Sequence, residues 1–301
     1  MQTRLHLPAT FDSTLRAYLQ LAKLRIVALL LFTTLAAMVV AAKGAALSPL
    51  ILCATLVGGA LAASGASALN QYIERDLDAR MARTKHRPVP SGRIAPADAL
   101  LFGLAALAWA ALLLGTLVNW LTAFLALFGA VYYVGIYTLL LKRRTPLNIV
   151  IGGGAGAVPV LVGWAAATGQ LPLESFVLFA IILFWTPPHS WALALYINAD
   201  YENADIPMLP VICGAQATHV QIVWYSANLV ILTLVPPLLG MSGAFYVACA
   251  LALGGGLLWH AVKLLHAADS ATAWRTYKYS SAYLALLFLS MMLDTTLFPL
   301  T

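Results

Sequence analysis

Hydrophobic positions in this chain run in long continuous windows, without the strict alternation of a half-buried strand or the single stripe of a soluble helix. Nine windows stand out, at residues 22–42, 48–70, 97–116, 118–140, 147–167, 173–196, 218–240, 243–265 and 279–299. A helix needs about 20 apolar residues to cross the hydrocarbon core of a bilayer. The pattern therefore predicts an all-α fold, a polytopic integral membrane bundle of nine transmembrane helices. Polar or helix-ending sequence separates the windows: Lys43-Gly44, the basic stretch 75–93, Val118-Asn119, Lys142-Arg143-Arg144, Gly169-Gln170, the polar run 198–216, Ser242-Gly243, and His266 to Lys278. Residues 20–301 read as one transmembrane domain, since helices packed in lipid form one bundle. Residues 1–19 read as a short amphipathic cytosolic segment, because they lack the apolar run and cleavage site of a signal peptide.

Composition agrees. The chain is 62% hydrophobic and 9% charged, whereas a soluble domain carries about a quarter charged residues. Cys53, Cys213 and Cys249 are scattered and have no metal-ligand spacing. The net charge of +6 reflects orientation more than an acidic partner, and nucleic acid is not expected. With a cytosolic N-terminus, the cytosolic segments hold Arg4, Arg16, Lys23 and Arg25; Arg75, Arg80, Arg83, Lys85, Arg87 and Arg93; Lys142, Arg143 and Arg144; and Lys263, Arg275 and Lys278. That is 16 of the 17 Lys and Arg residues, leaving only Lys43 outside. The positive-inside rule then places the C-terminus externally.

Four stretches carry chemistry. Asn70, Glu74 and Asp78 sit four apart and share one helical face at the membrane boundary, with Asp76 turned away. Carboxylates there need compensation, and a divalent cation with a phosphate supplies it, since Mg²⁺ takes hard oxygen ligands. A solvated helix end neutralised by Arg75 and Arg80 is the plainer alternative. A second acidic loop, 198–210, holds Asp200, Glu202 and Asp205 with no Lys or Arg. It lies on the same predicted side, and two such clusters can hold two Mg²⁺ ions against a diphosphate. Gly152, Gly153, Gly154 and Gly156 strip one helix of bulk, chiefly for close packing and alternatively to admit a large apolar ligand. Pro187 and Pro188 are expected to break the sixth span, with ionisable His189 at the break. Haem iron would accept that imidazole, although a hydrogen-bonded structural histidine is the commoner case.

Taken together, these residues resemble the UbiA superfamily of intramembrane prenyltransferases, and within it the haem-farnesylating branch. The first acidic site matches Asn-x-x-x-Asp-x-x-x-Asp at Asn70, Glu74 and Asp78. The branch's Arg-Asp-x-Asp and Arg-Thr-Lys-x-Arg-Pro elements appear at Arg75–Asp78 and Arg83–Pro88. Thr138 to Asn148, Trp185 to Trp191, and Asp200-Tyr201 with Ile206–Pro210 resemble three further elements. Three positions depart: Glu74 replaces Asp, Ser190 replaces Phe, and Leu24 replaces Pro. The resemblance implies a UbiA-like fold and transfer of farnesyl from farnesyl diphosphate to a vinyl group of haem B, with hydration, giving haem O. It implies Mg²⁺ as cofactor on Asn70, Glu74, Asp78, Asp200 and Asp205, with the first four as catalytic residues. Arg83, Lys85, Arg87, Lys142 and Arg143, with Arg144 beside them, would bind the diphosphate, and His189 the haem. The lack of a transit peptide favours a bacterial inner membrane, the charge distribution predicts an active site on the cytosolic side, and the resemblance implies a downstream haem A synthase or terminal oxidase assembly. A quinone or chlorophyll precursor as acceptor is the alternative within the superfamily. A transporter is the alternative outside it, and would place carboxylates near the midplane.

Sidedness is directly testable. A cysteine placed at Ala82 should react with an impermeant label only from the cytosolic face, and one at Ala45 only from outside. Reversal of either result would overturn the nine-span orientation.

Overall fold

The computed structural model describes residues 11–298. Arg4, His6 and the rest of residues 1–10 lie outside the described residues, as do 299–301. Among the described residues every regular element is helical, and nine segments are long and apolar enough to cross a membrane.

A leading helix, α1 (Phe11–Ala22), precedes the first span, α2 (Leu24–Ala42). Lys23 between them has φ 55°, a left-handed conformation uncommon for a residue with a Cβ. The turn separates the two helices and directs the Lys23 amine to Asn70. The second span, α3 (Pro49–Ile73), opens with proline at its first position, where the missing N–H costs nothing. It ends at Glu74 and gives way to the short α4 (Arg75–Arg80). Next, α5 (Pro96–Leu117) returns along α3. Asn119 then starts α6 (Trp120–Val131), its side chain accepting from the Thr122 N–H at 2.8 Å. The fourth span finishes as a π-helix, Tyr132–Leu141. The fifth comprises α7 (Asn148–Gly152) and α8 (Gly154–Thr168), and the sixth is α9 (Leu173–Tyr196). One turn, α10 (Asn198–Glu202), leads to α11 (Leu209–Leu232) and α12 (Val235–Leu238). The chain closes with the pair α13 (Ala244–Ala267) and α14 (Ser270–Leu297).

Three expectations change. The seventh span begins at Leu209 rather than 218, because the chain break moves inside the segment to Gly214 (φ 81°, ψ 166°). Beyond it, Thr218 returns its hydroxyl to the Gly214 carbonyl at 2.9 Å. The ninth span begins at Ser270 rather than 279. Asp269 caps it, accepting from the Thr272 N–H at 2.7 Å and the Thr272 hydroxyl at 2.8 Å. Thr276 and Ser280 donate back to carbonyls of their own helix, so these polar residues need no water there. Finally, Pro187 and Pro188 do not interrupt the sixth span: α9 runs through both, and both rings are buried. Packing against α8, α11 and α14 holds the helix together where its own hydrogen bonds are missing.

Small residues let these helices approach closely. A Cβ on Gly163 would collide with the Thr34 carbonyl, which sets the α2–α8 contact. Within the bundle Tyr246, Tyr283, Phe288 and Met291 are all fully buried. Buried Asp294 of α14 accepts from the backbone N–H groups of Gly243 and Tyr246, capping α13 across the helix pair. Asp294→Ala should therefore lower stability by about 1–3 kcal/mol, seen as a reduced thermal midpoint in detergent. An unchanged midpoint would show that the cap contributes nothing.

Candidate active site

Asn70, Glu74 and Asp78 lie together at the junction of α3 and α4, each only 1% exposed. Glu74 leaves helical geometry (φ −90°, ψ 7°), yet the hydrogen-bond spacing continues through it. The Glu74 N–H donates to the Asn70 carbonyl at 2.9 Å, and the Asp78 N–H to the Glu74 carbonyl at 2.8 Å. The three side chains thus keep the common face that their spacing predicts. Asp76 turns to solvent, as expected.

Each buried carboxylate holds a cation. Lys142 Nζ lies 2.6 Å from the Glu74 carboxylate. One Arg87 nitrogen donates to both Asp78 oxygens, at 2.9 and 2.8 Å. Lys23 donates to Asn70 Oδ1 at 3.1 Å, and Asn70 Nδ2 donates to Glu74 at 2.9 Å and to the Thr138 hydroxyl at 3.1 Å. Burial pulls the Lys23 amine down to about 7, helped by repulsion from Arg87 and Lys142. Burial also lowers Lys142, against the opposing pull of Glu74. The π-helix supplies this wall. Its wider turn pairs the Lys142 N–H with the Tyr137 carbonyl at 2.9 Å, five residues back, and Thr138 bonds the Tyr133 carbonyl. Tyr133, Tyr137, Thr138 and Lys142 come to one side as a result. Short π segments within α-helices are frequent at functional sites.

The second acidic loop docks onto the first. Asp200 accepts from the Ala82 N–H at 2.9 Å and the Arg83 N–H at 3.2 Å, bridging the two loops. Buried Asn148 reaches the Pro207 carbonyl at 3.4 Å. Asp205 sits apart: it is exposed, in a left-handed turn at φ 53°, its backbone N–H donates to the Glu202 carbonyl at 3.1 Å, and its side chain has no hydrogen bond or ion pair among the described residues. Arg83, Lys85, Arg143 and Arg144 are exposed. In the sequence Lys23 stands out only as an orientation charge. Its role depends on a contact with Asn70 across 47 positions, and no local signal announces it.

Beneath the charged cluster lies an apolar cavity of about 420 Å³. It runs between α2, α3, α6, α8 and α9, and its walls include Ala62, Ala66, Gly129 and Gly156. Lys23, Tyr133 and Tyr137 line its charged end. The glycine run serves both predicted purposes. Side chains at Gly152 and Gly153 would collide with Tyr137 and Thr186, whereas Gly156 faces open space. His189 lies in the unbroken α9, with Nδ1 2.8 Å from the Ser280 hydroxyl and its ring stacked on Trp185. The donors on the acidic face are all oxygen, which suits Mg²⁺. Among the described residues no three His, Cys, Asp or Glu side chains form a ready metal cage, and Glu74 and Asp78 are paired with protein cations.

The helical bundle joins a buried carboxylate–cation cluster to an apolar cavity, an arrangement that suits a molecule with a polar head and an apolar tail. Residues 30–291 match the UbiA prenyltransferase family, and the chain belongs to that family. Protoheme IX farnesyltransferase of Roseiflexus castenholzii is 49% identical over 286 residues, 95% of this chain and 53% of that protein. The Gloeobacter violaceus protein of the same name is 49% identical over 285 residues, 94% of this chain and 93% of that protein. The chain thus spans about half the length of the Roseiflexus relative and nearly all of the Gloeobacter one. A solved UbiA homologue from Archaeoglobus fulgidus, bound to GPP and Mg²⁺, shares the fold at TM-score 0.65 and 17% identity, covering 91% of this chain and 99% of that chain.

The Glu74–Lys142 pair is testable through its partners. Lys142→Ala leaves a buried carboxylate uncompensated and should cost about 3–5 kcal/mol. Adding Glu74→Gln should recover most of that loss. Equal thermal midpoints for the single and double variants would show that the pair is not coupled.

Proposed function

We propose that this protein transfers the farnesyl group of farnesyl diphosphate to a vinyl group of haem B, with addition of water, to give haem O. One junction carries the reading: the apolar cavity and the carboxylate–cation cluster meet at Lys23, which lines the first and bonds the second. A molecule with an anionic head and a long apolar tail fits that junction. The Archaeoglobus homologue's GPP and Mg²⁺ support a prenyl diphosphate there, and the names of the relatives supply farnesyl and protohaem. The distribution of Lys and Arg supports a cytosolic position for the site and the N-terminus, and the bacterial relatives support the cell inner membrane.

Mg²⁺, when bound, supplies positive charge to the diphosphate oxygens, and Asn70, Glu74, Asp78 and Asp200 are the residues that would hold it, while Asp205 sits apart from them. Arg87 and Lys142 exchange a carboxylate partner for the anion, while Arg83, Lys85 and Arg143 add positive charge. As the allylic C–O bond breaks, its electron pair leaves with the diphosphate. These cations stabilise the charge that develops there. The farnesyl cation stays in the cavity, among apolar walls and the rings of Tyr133, Tyr137 and Trp185, away from bulk water. The terminal vinyl carbon bonds to it, and positive charge moves to the carbon beside the porphyrin. Water adds at that carbon, a proton is released, and a hydroxyl remains. His189 is the candidate residue for haem binding.

Incubation of the purified protein with haem B, farnesyl diphosphate and Mg²⁺ should give a product heavier than haem B by one farnesyl group and one hydroxyl. A quinone precursor prenylated in place of haem would overturn the reading. Asp78→Ala should lower turnover by about 100-fold or more while keeping the thermal midpoint close to that of the parent, because the released Arg87 can reach water. Near-normal turnover at saturating Mg²⁺ would exclude the acidic face as the reaction site.

A further inference from the structure

The apolar cavity has a definite depth, and its far end is closed. On α2 one face of three turns lines it, from Lys23 through Val27 and Leu30 to Thr34, a span of about 16 Å by helical rise. On α3, which runs the other way, the deepest lining residue is Gly59, and it too lies about 16 Å by helical rise from Asn70 in the charged cluster. Lys23 bonds Asn70, so both spans start at one level. The two helices fix the same depth.

Packed protein lies beyond. The next turn of α2 brings Ala37 and Met38, both fully buried, and the next turn of α3 brings buried Ala54 and Thr55. Gly163 presses on the Thr34 carbonyl, so α2 and α8 meet backbone to backbone just past their last lining residues, Thr34 and Val162. Val162 packs with Val158, Ala126 and Leu114 in one buried cluster. Gly59 is the soft point of this floor. A Cβ there would meet just the end of the Leu31 side chain among the described residues, at 3.2 Å. Bulk can therefore be added at Gly59, or removed at Leu31, without a collision of backbones.

An extended farnesyl chain is about 14 Å from its first carbon to its last, at about 1.3 Å of advance per carbon–carbon bond. With its diphosphate at the charged end, it reaches the floor and stops there. A geranyl chain, one isoprene unit shorter, leaves the deepest turn empty, and the walls there lose their contacts. A geranylgeranyl chain, one unit longer, would have to enter the close-packed residues below. We propose that the floor made by Leu31, Gly59 and Val162 selects a chain of farnesyl length, with Gly59 as the residue that sets the limit. The inference rests on the prenyl diphosphate reading above and assigns the part of the protein that measures the tail.

Equilibrium binding of geranyl, farnesyl and geranylgeranyl diphosphate to the purified full chain, with Mg²⁺ and without haem, tests this apart from turnover. The unaltered protein should prefer farnesyl to either neighbour by about tenfold or more. Gly59→Leu should shift the preference to geranyl, and Leu31→Ala should shift it toward geranylgeranyl. The double variant moves the bulk from α2 to α3 and should return the preference to farnesyl. Inorganic diphosphate with Mg²⁺ does not reach the floor, and equal binding to all four proteins checks that the charged end is folded in each. If one single variant loses that binding, the other decides. Equal affinity for the three chains in the unaltered protein, or an unshifted order in a folded single variant, overturns the proposal. No binding of any prenyl diphosphate overturns the functional reading and the floor's role together. Chain selection without prenylation of haem removes haem as acceptor and leaves the floor's role standing. Prenylation of haem by all three diphosphates alike does the reverse.

Discussion

The neutralisation of two buried carboxylates organises the polar end of this bundle. Glu74 and Asp78 are almost wholly withdrawn from solvent at the edge of a bilayer, where an isolated charge is strongly disfavoured. Each must bring a cation with it, and the cations come from distant parts of the chain. Lys142 stands at the end of the π-helix, so its pairing with Glu74 ties the fourth span to the second. Arg87 reaches back to Asp78, and buried Thr84 donates to the Asp78 carbonyl, so the basic stretch folds over α4 rather than extending into water. Asp200 then finds the free N–H groups of that fold, and the second acidic loop docks where they are.

Under the proposed function the same pairing would prepare the site for an anion. Lys142 and Arg87 are mostly buried and held in place, so a diphosphate would need only to replace a carboxylate as their partner. The carboxylates released by the exchange are hard oxygen donors beside a multiply charged anion, which is the setting that Mg²⁺ favours. Lys23 occupies the boundary between this polar exchange and the apolar space beneath it. Burial and two neighbouring cations already weaken its hold on a proton, and an arriving anion would reverse that effect.

Cavity and packing are built from the same residue types. On the fifth span, Gly163 removes bulk so that α8 can lie against α2, while one turn and more away Gly156 removes bulk and nothing fills the space. Lipid offers no hydrophobic driving force between helices, so close contact of small residues carries the association. A gap among them survives because stiff helices on every side are braced elsewhere: α2 on α8, α3 on α5, and α9 on both α11 and α14.

The sequence by itself determined the nine-helix membrane fold, because window length and apolarity answer to the thickness of the bilayer and not to any partner. It also determined the common face of Asn70, Glu74 and Asp78, since that depends only on helical pitch. It misplaced the starts of the seventh and ninth spans. Polar residues there satisfy themselves within a helix, through Asp269 and the back-bonded Thr and Ser side chains, and a hydropathy window cannot register that. The expected break at Pro187-Pro188 is overridden by burial on three sides, a tertiary effect. Tertiary structure alone paired Lys142 with Glu74, brought Lys23 to Asn70, and set Ser280 on His189 across 91 positions. Those contacts join residues from different spans, and a linear pattern carries no information about which helices stand side by side.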